Sequence, residues 1–194
     1  DLRRIAGEEH AFTLTVQQFL AGHLREMDEY EEAVELVEPV YEIRRNTLGP
    51  MDPRTMGTAH ELSLLYRLQG RLDEAEPLAL AVCEWELATR GEEDHETLLS
   101  LTNLATIRGM QGRFDEAEEL RLQILEVYRR TNGLDTAEAL LVTNDLAVQY
   151  LKEERYEECE PLVVRALEAR RRTLGDEDIE TLQSVWTLAV LLRR

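Results

Sequence analysis

Five glycines, Gly7, Gly49, Gly91, Gly133 and Gly175, stand 42 residues apart along this chain. Four other columns keep the same step without a gap. One reads Tyr30-Glu31-Glu32-Ala33, Leu72-Asp73-Glu74-Ala75, Phe114-Asp115-Glu116-Ala117, Tyr156-Glu157-Glu158-Cys159. One is Leu36, Leu78, Leu120 and Leu162; one is Leu20, Leu62, Leu104, Leu146 and Leu188; one is small, Ala21, Ser63, Ala105, Ala147 and Ala189. A fixed period of this size means one supersecondary unit repeated, because a single such unit cannot bury its apolar face without a neighbour.

Each unit reads as two helices. In the first, apolar residues recur at helical spacing, as in Leu98, Leu101, Leu104, Ala105 and Ile107. This places first helices near 13–27, 55–69, 97–111, 139–153 and 181–194. Asp52, Asp94, Thr136 and Asp178 precede four of them as N-caps, and Pro53 suits the first helical position. Second helices start at Tyr30, Leu72, Phe114 and Tyr156 and run to the periodic glycine, which suits a left-handed stop. Arg44-Arg45, Arg129-Arg130 and Arg170-Arg171-Arg172 fall in their last turns, where cations meet the negative helix end. Pro39 lies deep enough to bend its helix. The small columns leave room for a neighbouring backbone, and the Leu20 and Leu36 columns are expected to fill the space between helices.

Composition narrows the function. With 40 acidic against 22 basic residues, the formal net charge is -18. Nucleic-acid binding requires clustered cations, and anionic lipid repels such a surface, so neither is an expected partner. At 43% hydrophobic residues the chain can pack a core, and no apolar run reaches the ~18 residues of a membrane span. Cys83 and Cys159 form no disulfide framework and read as buried thiols in a reducing, cytoplasmic setting. His10, His23, His60 and His95 make no metalloprotease spacing, and Glu92-Glu93-Asp94-His95-Glu96 lacks the alternating ligands of a calcium loop. No catalytic, cofactor or metal residues are expected, and the chain does not read as an enzyme.

Asn103-Leu104-Ala105 followed by Gly112-Arg113-Phe114-Asp115-Glu116-Ala117 resembles a tetratricopeptide repeat. Thr47-Leu48-Gly49-Pro50-Met51-Asp52-Pro53 and Thr173-Leu174-Gly175 resemble the joints of the longer version, similar to the kinesin light chains. HEAT repeats have a comparable period but would not explain the Gly-x-aromatic-acid-Glu-Ala run. Arg108 departs from Tyr66 and Tyr150, Asp28 and Glu154 replace Gly70 and Gly112, and Thr136 to Ala139 lacks the Thr-Leu joint. The resemblance implies an all-α, right-handed α-solenoid superhelix of antiparallel helix pairs. A single array over 1–194 is expected: 1–6 as the tail of a preceding second helix, repeats at 7–48, 49–90, 91–132 and 133–174, and 175–194 as a fifth first helix. Neither end carries a polar capping repeat, so a cut from a longer array is expected.

The resemblance also implies that first helices line the concave binding side. Three columns there vary between repeats: Gln18, His60, Thr102, Asn144, Trp186; Gly22, Leu64, Thr106, Val148, Val190; and Arg25, Arg67, Gly109, Leu151, Arg193. They read either as a selective peptide-binding surface or as plain solvated helix. Asn103 occupies the place where such proteins present an amide to a ligand backbone, and Arg67, Arg108 and Lys152 would complete a partial carboxylate clamp. Trp186 reads either as an exposed anchor or as core. The first-helix windows hold Arg25, Arg67, Arg108, Lys152, Arg193 and Arg194 against Glu26, Glu61, Asp145 and Glu153, a mildly basic groove in an acidic shell. The leading expectation is a non-enzymatic protein–protein interaction module for a peptide or domain, with acidic segments preferred. The alternatives are a sensor segment of a larger kinase or nucleotide-binding ATPase, and end-to-end self-association.

Overall fold

The computed structural model describes residues 11–193. Among these there are nine α-helices and no strand. First helices are α1 (Ala11–Glu26), α3 (Pro53–Leu68), α5 (His95–Met110), α7 (Ala137–Lys152) and α9 (Ile179–Leu191); second helices are α2 (Tyr30–Leu48), α4 (Leu72–Thr89), α6 (Phe114–Arg130) and α8 (Tyr156–Leu174). The fold is an all-α solenoid of repeats. It falls into two compact units that divide between Ile107 and Arg108. The expected helix tail at 1–6 lies outside the described residues.

The caps act as the sequence predicts. Asp52 accepts a hydrogen bond from the backbone N–H of Arg54 (2.9 Å), Asp94 from Glu96 (3.1 Å), Thr136 from Ala139 (3.3 Å) and Asp178 from Glu180 (2.9 Å). Each supplies an acceptor to a helix start that has none of its own. Within a repeat the two helices are joined by three residues, and the joint closes the same way each time. Arg71 N–H donates to Tyr66 C=O (2.8 Å), Arg113 to Arg108 (2.9 Å), Arg155 to Tyr150 (2.9 Å) and Glu29 to Leu24 (2.9 Å). This six-to-one bond is a Schellman stop, whose last-but-one residue must be left-handed. Gly70 and Gly112 take that conformation freely, while Asp28 (φ 62°) and Glu154 (φ 60°) hold it with a side chain. Asp28 is helped by the Tyr30 hydroxyl, which donates to its carboxylate at 2.5 Å.

The periodic glycines are stricter. Gly49 has φ 95° and ψ 159°, and Gly175 has φ 90° and ψ 172°. That corner of backbone space is essentially closed to a Cβ, which explains glycine at 49 and 175; Gly91 and Gly133 also have positive φ, 89° and 84°.

Burial follows the small columns except at Ala189, which is exposed on α9. Ala33, Ala75, Ala117 and Cys159 are fully buried, as are Ala21, Ser63, Ala105 and Ala147. Leu62, Leu104 and Leu146 fill the space beside them. The Leu36 column is only half-buried throughout, and Leu20 is 49% exposed. Both differ from the expected filling role, since column membership fixes a side chain's direction but not the presence of a neighbour to cover it. Two conserved-geometry ties hold second-helix starts: Arg71 pairs with Glu74 (2.6 Å) and stacks 4.1 Å over Tyr66, and Arg155 pairs with Glu158 (3.1 Å) and stacks 4.2 Å over Tyr150. Cys83 and Cys159 are buried and take part in no disulfide.

Two contrasts test this packing. Leu104→Ala should cost about 2–5 kcal/mol through lost burial and a residual cavity, while Leu20→Ala should stay within about 0.5 kcal/mol. Equal shifts in urea midpoint would contradict the assignment. Gly49→Ala should destabilise by about 1–3 kcal/mol because of its backbone conformation. Gly22→Ala, mid-helix with nothing within 4 Å of an added Cβ, should instead stabilise by about 0.5–1 kcal/mol. The sign difference is read by thermal and denaturant unfolding.

Candidate functional site

The predicted site residues lie on first helices and divide between the two units. In the first unit the structure joins most of them into polar rungs between successive first helices. Arg25 Nε donates to the Glu61 carboxylate at 2.9 Å, linking α1 to α3. One repeat later Arg67 Nε donates to Asn103 Oδ1 at 2.7 Å, linking α3 to α5. Arg25 and Arg67 are equivalent in the 42-residue register, and so are Glu61 and Asn103. Both rungs use the same geometry, once with a carboxylate and once with an amide.

Asn103 is buried at 5% exposure, and its Nδ2 donates to Ser63 Oγ at 3.0 Å. Both ends of its amide are therefore engaged within the chain. The amide that the sequence offers to a ligand backbone holds two first helices together instead. Arg108 pairs with Glu116 at 3.5 Å, and its side chain is mostly covered. Lys152 is exposed on the last turn of α7.

The Gln18 column is likewise wired. Gln18 Oε1 accepts from Arg44 Nη1 at 2.5 Å. His60 Nδ1 lies 3.0 Å from Ser100 Oγ across the α3–α5 contact. Burial holds the His60 pKa below its ordinary value of 6.5, opposed by the charges of Glu86, Glu61 and Glu96 and assisted by Arg25. Thr106 Oγ1 is turned back onto the Thr102 carbonyl (2.8 Å), and Leu64 is half-buried.

In the second unit, Asn144 and Val148 are half-buried on α7, and Trp186 is 65% exposed on α9. Trp186 sits among other exposed apolar side chains of that helix, Ile179, Leu182, Val185 and Leu192. Leu182 occupies the register position at which Met56, Leu98 and Leu140 are buried. In the first unit, Phe19 on α1 is also exposed, at 71%.

The sequence reading missed the buried charges of the second helices. Arg44, Glu86, Tyr128 and Arg170 form one 42-residue column, and all four are buried. Arg44 and Arg170 were expected at a solvated helix end; both point inward and bond across to the next first helix. The signal was present in their shared register. Among the described residues, no three His, Cys, Asp or Glu side chains come together as a metal ion would need, and no helix is long and apolar enough to cross a membrane.

His60 gives a pH test. A histidine with a depressed folded pKa binds its proton more readily when unfolded, so its contribution is complete above about pH 6.5 and is lost as pH falls below it. His60→Gln, which installs the side chain that Gln18 already places in this column, should flatten the fall in unfolding free energy between about pH 7 and 5 relative to the parent. Superimposable pH profiles would exclude a buried neutral His60.

Comparison with known proteins agrees with this architecture. The tetratricopeptide repeat family profile matches residues 12–84 and, overlapping, 54–130. A Podosopora anserina protein assigned as a kinesin light chain, with nearly identical TPR-like repeats, superposes with a TM-score of 0.78 at 28% identity, covering 93% of this chain and 85% of that one. A single-substitution variant of it gives 0.79 with the same identity and coverage. BtubC (BKLC) from P. vanneervenii superposes at 0.76 and 22% identity, covering 93% of this chain and 72% of that one, a likeness of fold. No curated protein matches the sequence. Tetratricopeptide repeats generally serve as non-catalytic protein–protein interaction modules. With its family profile covering more than half of the residues, and with kinesin-light-chain-like repeats as structural neighbours, the chain belongs to the tetratricopeptide repeat family.

Proposed function

We propose that this chain is a non-enzymatic interaction module that takes a peptide segment or domain of another protein along its first-helix face. One observation carries the reading. In the first unit, side chains of that face are fixed by the rungs Arg25–Glu61 and Arg67–Asn103, and Phe19 is exposed on α1; in the second unit Trp186 is exposed on α9. Side chains already ordered before binding cost less entropy to immobilise, and exposed aromatic residues are the usual anchors. The residues assigned to the face are Gln18, Arg25, His60, Leu64, Arg67, Asn103, Thr106, Asn144, Val148, Lys152 and Trp186. Asn103 acts there by positioning Arg67 rather than by direct contact.

Acidic segments are the preferred partners in this reading. Against the strongly acidic remainder of the chain the first helices are close to neutral, with Arg25, Arg54, Arg67, Arg108 and Lys152 against Glu26, Glu61, Glu96, Glu138, Asp145 and Glu180, and Arg25 is partly neutralised by Glu61. Beyond them the surface is strongly acidic and repels a second acidic chain everywhere else, which steers such a segment to the groove. The 42-residue register and the four repeats beginning at Gly7, Gly49, Gly91 and Gly133 belong to the same proposal.

A peptide-array screen should return sequences rich in Asp and Glu; a set rich in Lys and Arg would overturn the charge argument. For any captured segment, Thr106→Arg and Trp186→Ala should each weaken binding about tenfold or more, equivalent to the 1.4 kcal/mol of one good contact. Leu122→Arg, on exposed second-helix surface, should leave it unchanged. The opposite pattern would move the interface to the second helices.

A further inference from the structure

Arg44 and Arg170 are held by equivalent atoms. Arg44 Nη1 donates to the Arg54 carbonyl (3.3 Å) and Thr58 Oγ1 (2.7 Å); Arg170 Nη1 donates to the Glu180 carbonyl (3.1 Å) and Ser184 Oγ (2.7 Å). Position 54 corresponds to 180 and position 58 to 184 in the 42-residue register. The two sites differ in countercharge. Arg170 Nε lies 3.5 Å from the Glu180 carboxylate. In the Arg44 site the equivalent residue is Arg54, a second cation, whose guanidinium is taken by Asp52 at 3.1 Å. Arg44 is 94% buried, yet among the described residues no carboxylate lies within ion-pair distance, and no acceptor meets its Nε or Nη2. Burial and the charge of Arg54 both lower its pKa, with Asp52 opposing.

A buried guanidinium without an anion is costly unless something completes it. Arg44 lines a notch of about 520 Å³ between α1 and α3. The notch exists because Gly22 and Gly57 border it, and an added Cβ on either would meet nothing within 4 Å. Their register equivalents include Leu64, Thr106, Val148 and Val190, and Leu99, Leu141 and Gln183. Exposed Phe19 forms an apolar wall, and Gln18 lies beside Arg44. The acids on the border have cationic or titratable neighbours: Glu61 is held by Arg25 at 2.9 Å, and Glu26 sits 3.5 Å from His23.

We infer that the Arg44 notch is a carboxylate subsite, in which an Asp or Glu side chain or a terminal carboxylate of a bound segment bridges Arg44 Nε and Nη2 while its stem lies between Gly22 and Gly57 against Phe19. The pairing uses the two free parallel N–H directions of a guanidinium, the arrangement that a carboxylate fits best. The ligand class rests on the interaction reading above; the subsite itself is tested with small probes that need no protein partner.

The experiment titrates the whole chain with N-acetyl-glutamate amide, with N-acetyl-diglycine, and with the neutral N-acetyl-glutamine amide, reading the arginine Nε–H resonances by NMR. The expected result is a saturable shift of Arg44 with one or both carboxylate probes, none with the neutral probe, and none at Arg170. The two carboxylates separate a side-chain from a terminal source. Gly57→Leu fills the notch with the residue already present at 99 and 141 while keeping Arg44, and should weaken binding about tenfold or more. Arg44→Gln should abolish it; if that variant does not fold, Gly57→Leu alone decides. No shift at Arg44, shifts equal to those of Arg170 and the exposed arginines, or undiminished binding in Gly57→Leu would overturn the subsite. Loss of partner capture in Thr106→Arg with the probe titration intact, or the reverse, separates this inference from the groove reading.

Discussion

Everything else in the molecule depends on how closely the two helices of a repeat approach. Ala33, Ala75, Ala117 and Cys159 are fully buried at the starts of second helices, as are Ala21, Ser63, Ala105 and Ala147 on first helices, and Cys159 meets Ala147 directly. With only a methyl or hydroxymethyl group between them, backbones meet almost directly, and the flanking leucines are forced into the remaining wedges. Cys159 shows the limit of this tolerance. Its sulfur is accommodated by donating to the Ala147 carbonyl across the contact at 3.2 Å, and burial pushes its thiol pKa up. The crossing point then fixes the length of the turn. Three residues, one of them left-handed, are enough to reverse the chain, whether that residue is Gly70 or Glu154.

Contacts within a repeat bury small apolar side chains beside a few polar pairs such as Arg108–Glu116, and contacts between neighbouring first helices include polar ones. Arg25–Glu61, Arg67–Asn103 and His60–Ser100 join residues about one repeat apart in sequence. In a repeat protein each unit's stability depends on its own packing and on the interface to its neighbour. Placing the variable residues in that interface gives every junction its own chemistry without disturbing the scaffold. It also means that variability along a first helix is not free surface. A rung can be varied only by changing both of its ends.

The repeat made most of the architecture readable from residues alone. Helix bounds fell within a few residues of expectation because caps such as Asp52 and Asp178, and stops such as Gly49 and Gly175, each have one mechanical role. What stayed hidden has a common cause. The rung partners lie 36 or 40 residues apart, a separation that a 42-residue comparison does not display. Arg44 satisfied a valid rule, that cations favour the end of a helix, and that rule masked the burial which its register with Glu86, Tyr128 and Arg170 signals. Leu20 shares a column with buried leucines but is half uncovered. Asn103 reads from the sequence as an amide offered to a ligand backbone, and its engagement by Arg67 and Ser63 is visible only with coordinates.

The column of Arg44, Glu86, Tyr128 and Arg170 shows how one scaffold position yields different junctions. Arg170 carries its countercharge in Glu180. Glu86 acts on His60, opposing the effect of burial on the imidazole. Tyr128 is neutral, its pKa raised by burial. Arg44 alone of the two arginines faces a second cation in place of a carboxylate, and its junction alone of those in register has glycine at both bordering positions. Either change by itself would be unremarkable: a glycine pair only opens space, and a missing anion only weakens a junction. Their coincidence at one place couples an unmet charge to room for its partner. In a chain with net charge -18, a carboxylate has few other favourable places to settle. The selectivity of such an array can therefore reside in a single junction, set by what two glycines and one arginine leave unfinished.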